Sequence, residues 1–327
     1  MSAQTFSKGL HDLGNGSGAW AWLMPTGGWN QSNAGLITDG DEALLVDTLV
    51  DERLTAEMLD AMRSRTGFGA DNIGTLVNTN ENSNHSWGNR LLVNATIYAS
   101  EPSALEMAED TGPQQIGKLL GAAGGMGELG QWFLDRWGGH QFEGLEVRPP
   151  DRSFTGQLSL KVGDKDVHLI QVGPASTPGD VIVHSPADRV VFAGDALFVG
   201  NTPFTWNSSV TSWIAACDRI MALDADVIVP GHGPLTDKAG VKRMQDYLRF
   251  VDRETRRRHA AGMDSWQTAQ EIAEELARGE LGHWPDGGRL AITVGTIFRE
   301  IEADDAPPNL IEFFSRAQQL DKKLAAN

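Results

Sequence analysis

Cysteine is almost absent: Cys217 is the only one in 327 residues. No internal disulfide can form, so the fold depends on its core and needs no oxidising compartment. Bases are scarce as well. Lys and Arg number 27 against 44 Asp and Glu, a formal charge of −17, and such a surface repels nucleic acid and anionic lipid alike. Long apolar runs are missing too, since none approaches the ~20 residues of a membrane span. Met1 to Leu10 is polar, without the apolar stretch of a secretory leader. These absences make the cytoplasm the expected location and leave a small molecule as the expected partner, with no nucleic acid and no membrane. What remains, 40% hydrophobic and 22% charged residues, suits one large globular domain over residues 1–327.

The most unusual stretch follows the apolar run Gly74 to Val77. Asn78 to Asn89 holds five asparagines, a glutamate and a histidine. Short amides stabilise turns by bonding nearby backbone, but loops at the ends of buried strands also carry binding residues. Upstream, Gly27 to Asn33 reads as a turn, Ala34–Thr38 and Ala43–Asp47 as two short strands, and Val50–Arg63 as an amphipathic helix with Leu54, Met58, Leu59 and Met62 on one face. Asp47 closes its apolar strand. Ile97 to Ala99 resumes a strand pattern. About 101–140 reads as a helical insertion with a flexible glycine hinge at Gly121 to Gly127, either a lid, a dimer contact or a surface elaboration. Strand signals return at 158–162, 167–172, 181–184, 190–193 and 227–230, with a helix over 213–223, and about 239–327 is a helical extension. The insertion and extension offer surface for a homodimer.

Four polar loops each follow a strand: Asn80 to His85, Gly173 to Asp180, Ala193 to Ala196, and Pro230 to Pro234. Glycine precedes Asp195 and flanks His232 on both sides, allowing tight turns with those side chains projecting. Loops converging on one edge are a common way to build a site.

In this arrangement the chain resembles the metallo-β-lactamase superfamily, the fold of glyoxalase II and many hydrolases. The family frame is T-H-x-H-x-D-H-x-x-G, then G-x-x-H-T-x-G, F-x-G-D and P-G-H-G. It is met here by Thr79 to Gly88, Gly173 to Gly179, Phe192 to Asp195, and Pro230 to Gly233. The resemblance spans roughly Phe6 to Lys238. It implies an α/β fold, a four-layer αβ/βα sandwich, with the insertion and the C-terminal helices added. It also implies two metal positions. The imidazoles of the first are replaced by Asn80, Asn82 and Ser176, poor zinc ligands, and that position is expected to be empty. The second corresponds to Asn84, His85, Asp195 and His232, with Asp47 as its brace. Two imidazoles and a carboxylate suit zinc, or mononuclear iron or manganese.

The leading expectation is therefore a hydrolase-like enzyme with one divalent metal on His85, Asp195 and His232, assisted by Asn84. It would act on an ester, thioester, lactone or other electrophile. His85, Asp195 and His232 are the catalytic set, and Asn80, Asn82, Ser176, Trp87 and Trp206 are candidates to bind substrate. A second expectation keeps the site but changes the reaction to a lyase, cyclase, decarboxylase, dehalogenase or iron oxygenase, or to a metal-free acid–base pair of Asp195 and His232. A third is a non-catalytic binding protein on a decayed hydrolase fold. Glu81 is expected to be solvated, and His11, His140, His168, His184, His259 and His283 to be structural or surface residues.

Overall fold

The computed structural model describes residues 7–14, 16–24, 28–279, 281 and 284–326. His283 and the first residue of the Gly27 to Asn33 turn lie outside the described residues. Strands β1 (Gly9–Asp12), β2 (Ala19–Leu23), β3 (Ala34–Asp39) and β4 (Glu42–Val46) form an antiparallel meander. Helix α1 (Glu52–Thr66) crosses to β5 (Thr75–Val77), and the one-turn α2 (Ser83–Ser86) precedes β6 (Thr96–Ser100). Then come α3 (Glu101–Ala108), α4 (Gly112–Ala122), α5 (Gly127–Trp137) and β7 (Arg152–Phe154), which completes a seven-stranded sheet, parallel from β4 to β7.

The second sheet is built from β8 (Gln157–Val162), β9 (Lys165–Gln171), β10 (Val181–Ser185) and β11 (Val190–Phe192), then α6 (Val210–Ala222) and β12 (Val227–Val229). Its order is β12-β11-β10-β9-β8, with β11 and β12 parallel. The chain ends in α7 (Lys238–Ala260), α8 (Ser265–Arg278), α9 (Arg289–Glu302) and α10 (Leu310–Ala325).

Near-continuous apolar strands are the mark of sheets buried on both faces, and here successive residues go to different layers. Ile37, Val46 and Val77 of the first sheet meet Val183, Val190 and Phe192 of the second between the sheets. Leu36, Leu45 and Leu76 pack outward against Met58 and Met62 of α1, whereas Ile182, Val191 and Ile228 pack outward against Trp213 of α6 and Met244 of α7. Two sheets face to face with helices on both outer surfaces make the four layers of the αβ/βα sandwich. Strands β1 and β2, in the Gly- and Trp-rich start, carry no clear strand pattern in sequence.

The insertion is anchored on the body of the protein through α5, while α4 buries only Pro113. Trp132, Phe133 and Trp137 of α5 are buried, and their rings pack with Trp29 and with Phe314 of α10. Beside the expected hinge, Gly130 of α5 packs on its Ala123, where a Cβ would lie 1.8 Å from the carbonyl oxygen, whereas Gly121, Gly124, Gly125 and Gly127 of the hinge face open space.

Candidate metal centre

Three strand ends deliver the chemistry. The loop after β5 winds into α2, which presents His85; Asp195 stands in a tight turn after β11; His232 follows β12. Because β11 and β12 are parallel neighbours, their loops leave the same sheet edge. Asp195 Oδ1 lies 3.1 Å from His85 Nε2 and 3.0 Å from His232 Nε2. Their potential ligand atoms all lie within 4.8 Å of one another. The three side chains are buried, at 0, 4 and 4% exposure. A Cβ on Gly231 would come 2.6 Å from Asp195 Oδ1, so the backbone can pass there only as glycine.

Each histidine is held differently. Asp47 Oδ2 sits 2.8 Å from His85 Nδ1, and the Asp47 carboxylate also accepts from the Thr79 N–H and hydroxyl, each at 2.7 Å. Asp47 itself is in the left-handed region, at φ 64°, a strained conformation for a residue with a side chain. Burial works to lower the His85 pKa, but Asp195 and Asp47 on its two ring nitrogens overcome this and hold it well above the ordinary value. Burial likewise works to raise Asp195, and the two imidazoles hold it well below the usual carboxylate range. At His232 burial wins over the attraction of Asp195 and the pKa is lowered. Its Nδ1 has no partner, and its ring stacks on Phe198 at 4.5 Å.

The His232 loop is pinned by a residue that sequence patterning does not single out. Asn33 donates its backbone N–H to the Gly231 carbonyl and its side-chain amide to the carbonyls of Pro230 and Gly233, each at 2.8 Å, while its Oδ1 accepts from the Met24 N–H.

These donors fit one divalent metal. Zinc ligands at ~2.0–2.1 Å from a tetrahedral ion stand about 3.3 Å apart, close to the spacings observed. The Asp47–His85 pair is the carboxylate–imidazole arrangement that orients metal-binding histidines. Asn84 Nδ2 lies 3.5 Å from His232 Nε2, and Asn82 Nδ2 donates to Asp195 Oδ2 at 3.3 Å. Both amides therefore border the three ligands.

The neighbouring position, where the family has its first metal, holds no imidazole, and its groups are engaged in protein hydrogen bonds. Asn80 Oδ1 accepts from the Asn82 N–H at 2.9 Å, Asn80 Nδ2 donates to Asp180 Oδ1 at 3.4 Å, and the Ser176 hydroxyl donates to the Phe204 carbonyl at 3.1 Å. Asp180, in the loop between β9 and β10, also accepts from the Thr177 N–H. Burial, with Glu81 and Asp195 nearby, pushes its pKa well above the usual range. Glu81 is half-buried rather than freely solvated. Its carboxylate accepts from the Ser103 hydroxyl at 2.7 Å, and burial raises its pKa.

The two tryptophans separate. Trp87 turns into the core, donating to Asp110 and packing edge-on to Phe142, whereas Trp206 stays half-buried beside Phe204. The segment just before Trp206, residues 202–205, belongs to no sheet, yet its four carbonyls all accept from side chains. Thr202 takes Arg289, Pro203 takes Thr293, Phe204 takes Ser176 and Thr205 takes Thr296. Three of these donors are spaced four and three residues apart on one face of α9, which makes the C-terminal extension a wall of the site. No helix among the described residues is long and apolar enough to cross a membrane.

Known proteins resemble this chain in sequence and in fold. The 2,4-dinitroanisole O-demethylase subunit alpha of Nocardioides sp. is 32% identical over 90 residues, 26% of this chain and 26% of that protein. The linear primary-alkylsulfatase of a Pseudomonas sp. is 23% identical over 148 residues, 42% of this chain and 27% of that one. The matches thus cover about a quarter of each relative's length. Among solved structures, a metallo-beta-lactamase from Pontibacter korlensis superposes with a TM-score of 0.53 at 18% identity, covering 71% of this chain and 95% of that one. A stereoselective inverting sec-alkylsulfatase from Pseudomonas sp. reaches 0.63 at 14% identity, covering 90% of this chain and 50% of that one. The 90% share of this chain can be reached only by including part of the C-terminal helices. The family model described as metallo-beta-lactamase superfamily matches residues 27–232, and with two sheets in a four-layer sandwich, this chain belongs to that superfamily.

Proposed function

We propose that this chain is a metal-dependent hydrolase of a small molecule, with one divalent cation held by His85, Asp195 and His232 and the Asn84 amide beside them. The observation that carries this reading is the convergence of three buried donors from three separate loops, with Asp47 bracing the first. Zinc suits the donor set, with iron or manganese as alternatives. The ion would supply Lewis acidity, lowering the pKa of water from ~15.7 toward ~7. The protein's own groups do the rest. Asp47 fixes the His85 ring, Asn33 fixes the His232 loop, and Asn82 steadies Asp195. The half-buried Phe204 and Trp206 mark the side from which a substrate reaches the buried donors.

The names of the two relatives narrow the substrate. One is named an alkylsulfatase and the other an anisole O-demethylase, and these names point to a sulfate ester and an aryl methyl ether, each with a bond to oxygen that hydrolysis can break. We assign the same class here: one bond to oxygen breaks, its electron pair stays on the departing oxygen, and water supplies the replacement oxygen and releases a proton. Purified protein is expected to carry about one metal per chain and to hydrolyse an alkyl sulfate or an activated aryl methyl ether, with turnover lost in His232→Ala. Protein that holds no metal after reconstitution, or a His232→Ala variant with full turnover, ends this reading.

A further inference from the structure

Arg289, the first residue of α9, is after Trp213 the largest fully buried side chain among the described residues. A guanidinium carries five N–H donors, but this one makes a single hydrogen bond, from Nη1 to the Thr202 carbonyl at 3.3 Å. Its Nε is buried without a partner. The nearest carboxylate, Asp286, stands 3.6 Å from Nη2, beyond hydrogen-bond length. The Trp29 and Phe204 rings lie 4.6 and 5.0 Å away, and Asp195, Asp321 and Arg136 act on its charge without reaching ion-pair distance.

The same chain shows how a buried arginine is ordinarily satisfied. Arg258, with its side chain 3% exposed, pairs with Glu254, Glu271 and Glu275. A buried cation left short of acceptors opposes folding, so its retention asks for an anion that arrives later. Position says where from. Trp29 lies three residues before Ser32, whose hydroxyl donates to the Asn84 carbonyl, and four before Asn33, which pins the His232 loop. Phe204 contacts Phe198, which stacks on His232. The guanidinium is near enough for its charge to act on Asp195 and His232.

We infer that Arg289 is the specificity residue that anchors the departing oxyanion of the substrate, a delocalised anion such as sulfate or an aryl oxide, on its free N–H groups between Trp29 and Phe204. The inference rests on the proposed hydrolysis and names the group released. As water's oxygen bonds to the substrate and the old bond to oxygen breaks, the electron pair collects on the departing oxygen beside the guanidinium, and water's proton passes to solvent. A forked cation matches a multi-oxygen anion, and flat ring walls suit an aryl oxide.

The test is calorimetric titration of metal-loaded protein with sodium sulfate and, separately, 2,4-dinitrophenolate at constant ionic strength. At least one of the two is expected to bind, and the one that binds identifies the leaving group. Arg289→Met is expected to weaken that binding about 10- to 100-fold, to keep one metal per chain, and to leave Tm equal or higher because an unsatisfied buried charge is gone. Arg289→Lys, which keeps charge but not the fork, is expected to weaken it less. Absence of binding by both anions, or unchanged affinity in the Arg289 variants, overturns the inference; if the Met variant does not fold, the Lys variant decides in the same way. Loss of anion affinity in these variants in protein that holds no metal would sustain the anchor while ending the proposed hydrolysis.

Discussion

The corner made by His85, Asp195 and His232 and the corner made by Asn80, Asn82 and Ser176 sit on the same loops and are built on opposite principles. In the first, each donor atom points toward a shared space and is oriented from behind, by Asp47 at His85 and by Asn33 at the His232 loop. In the second, Asn80 and Ser176 turn toward the protein, bonding the Asn82 N–H, the Asp180 carboxyl and the Phe204 carbonyl, and only the Asn82 amide reaches across, to Asp195. An imidazole needs only one ring nitrogen for a metal and keeps the other for its brace. An amide or hydroxyl instead closes easily into local backbone bonds. One corner keeps an ion's coordination groups in place; the other has become part of the wall.

The contrast breaks first at the ligands. Asp195→Ala is expected to abolish metal retention and turnover, with a loss well beyond the ~10–100-fold typical of a partner that only orients a ligand. Elemental analysis and rate on one preparation check it. Asp47→Asn should fall inside that ~10–100-fold range in metal affinity, measured by competition with a chelator. Third comes Asp180→Asn. The native pKa of Asp180 is raised by burial, so the folded state holds its proton more tightly than the unfolded chain does. The stability this contributes is complete below the unfolded value and lost as pH rises through the native one. The variant should therefore show a flatter fall in urea midpoint between acid and neutral pH; equal slopes would remove Asp180 from the neutral-acid role. The smallest effect is on the wall itself. Thr296→Val deletes the 2.8 Å bond to the Thr205 carbonyl and should cost about 1 kcal/mol in denaturant unfolding, with metal content unchanged.

Much of this arrangement is legible in the chain because strand-end loops are written compactly. Asp195 in Phe192–Asp195, His232 between two glycines and His85 in the asparagine-rich loop are local patterns, and the family frame links them. What escaped was long-range or unpatterned. Asn33 sits in a turn like many others, and its role exists only because Pro230 and Gly233 come to it across the fold. Glu81 looks like any loop acid until Ser103 of α3 meets it. Arg289 opens a helix in an extension with no motif, and nothing local marks it as buried. Trp87 and Trp206, alike in sequence as aromatics near site loops, part company only through packing, one against Phe142 and the other beside Phe204.

The four consecutive carbonyls of 202–205 have a consequence for timing. Their donors include Arg289, Thr293 and Thr296, so during synthesis His85, Asp195 and His232 all emerge before the 202–205 segment can lock. In the finished protein, lifting that segment means breaking a row of bonds to one helix together, which ties breathing at the mouth to loosening of α9. Amide exchange in α9 and in the segment beneath it should accordingly rise and fall as one cooperative unit.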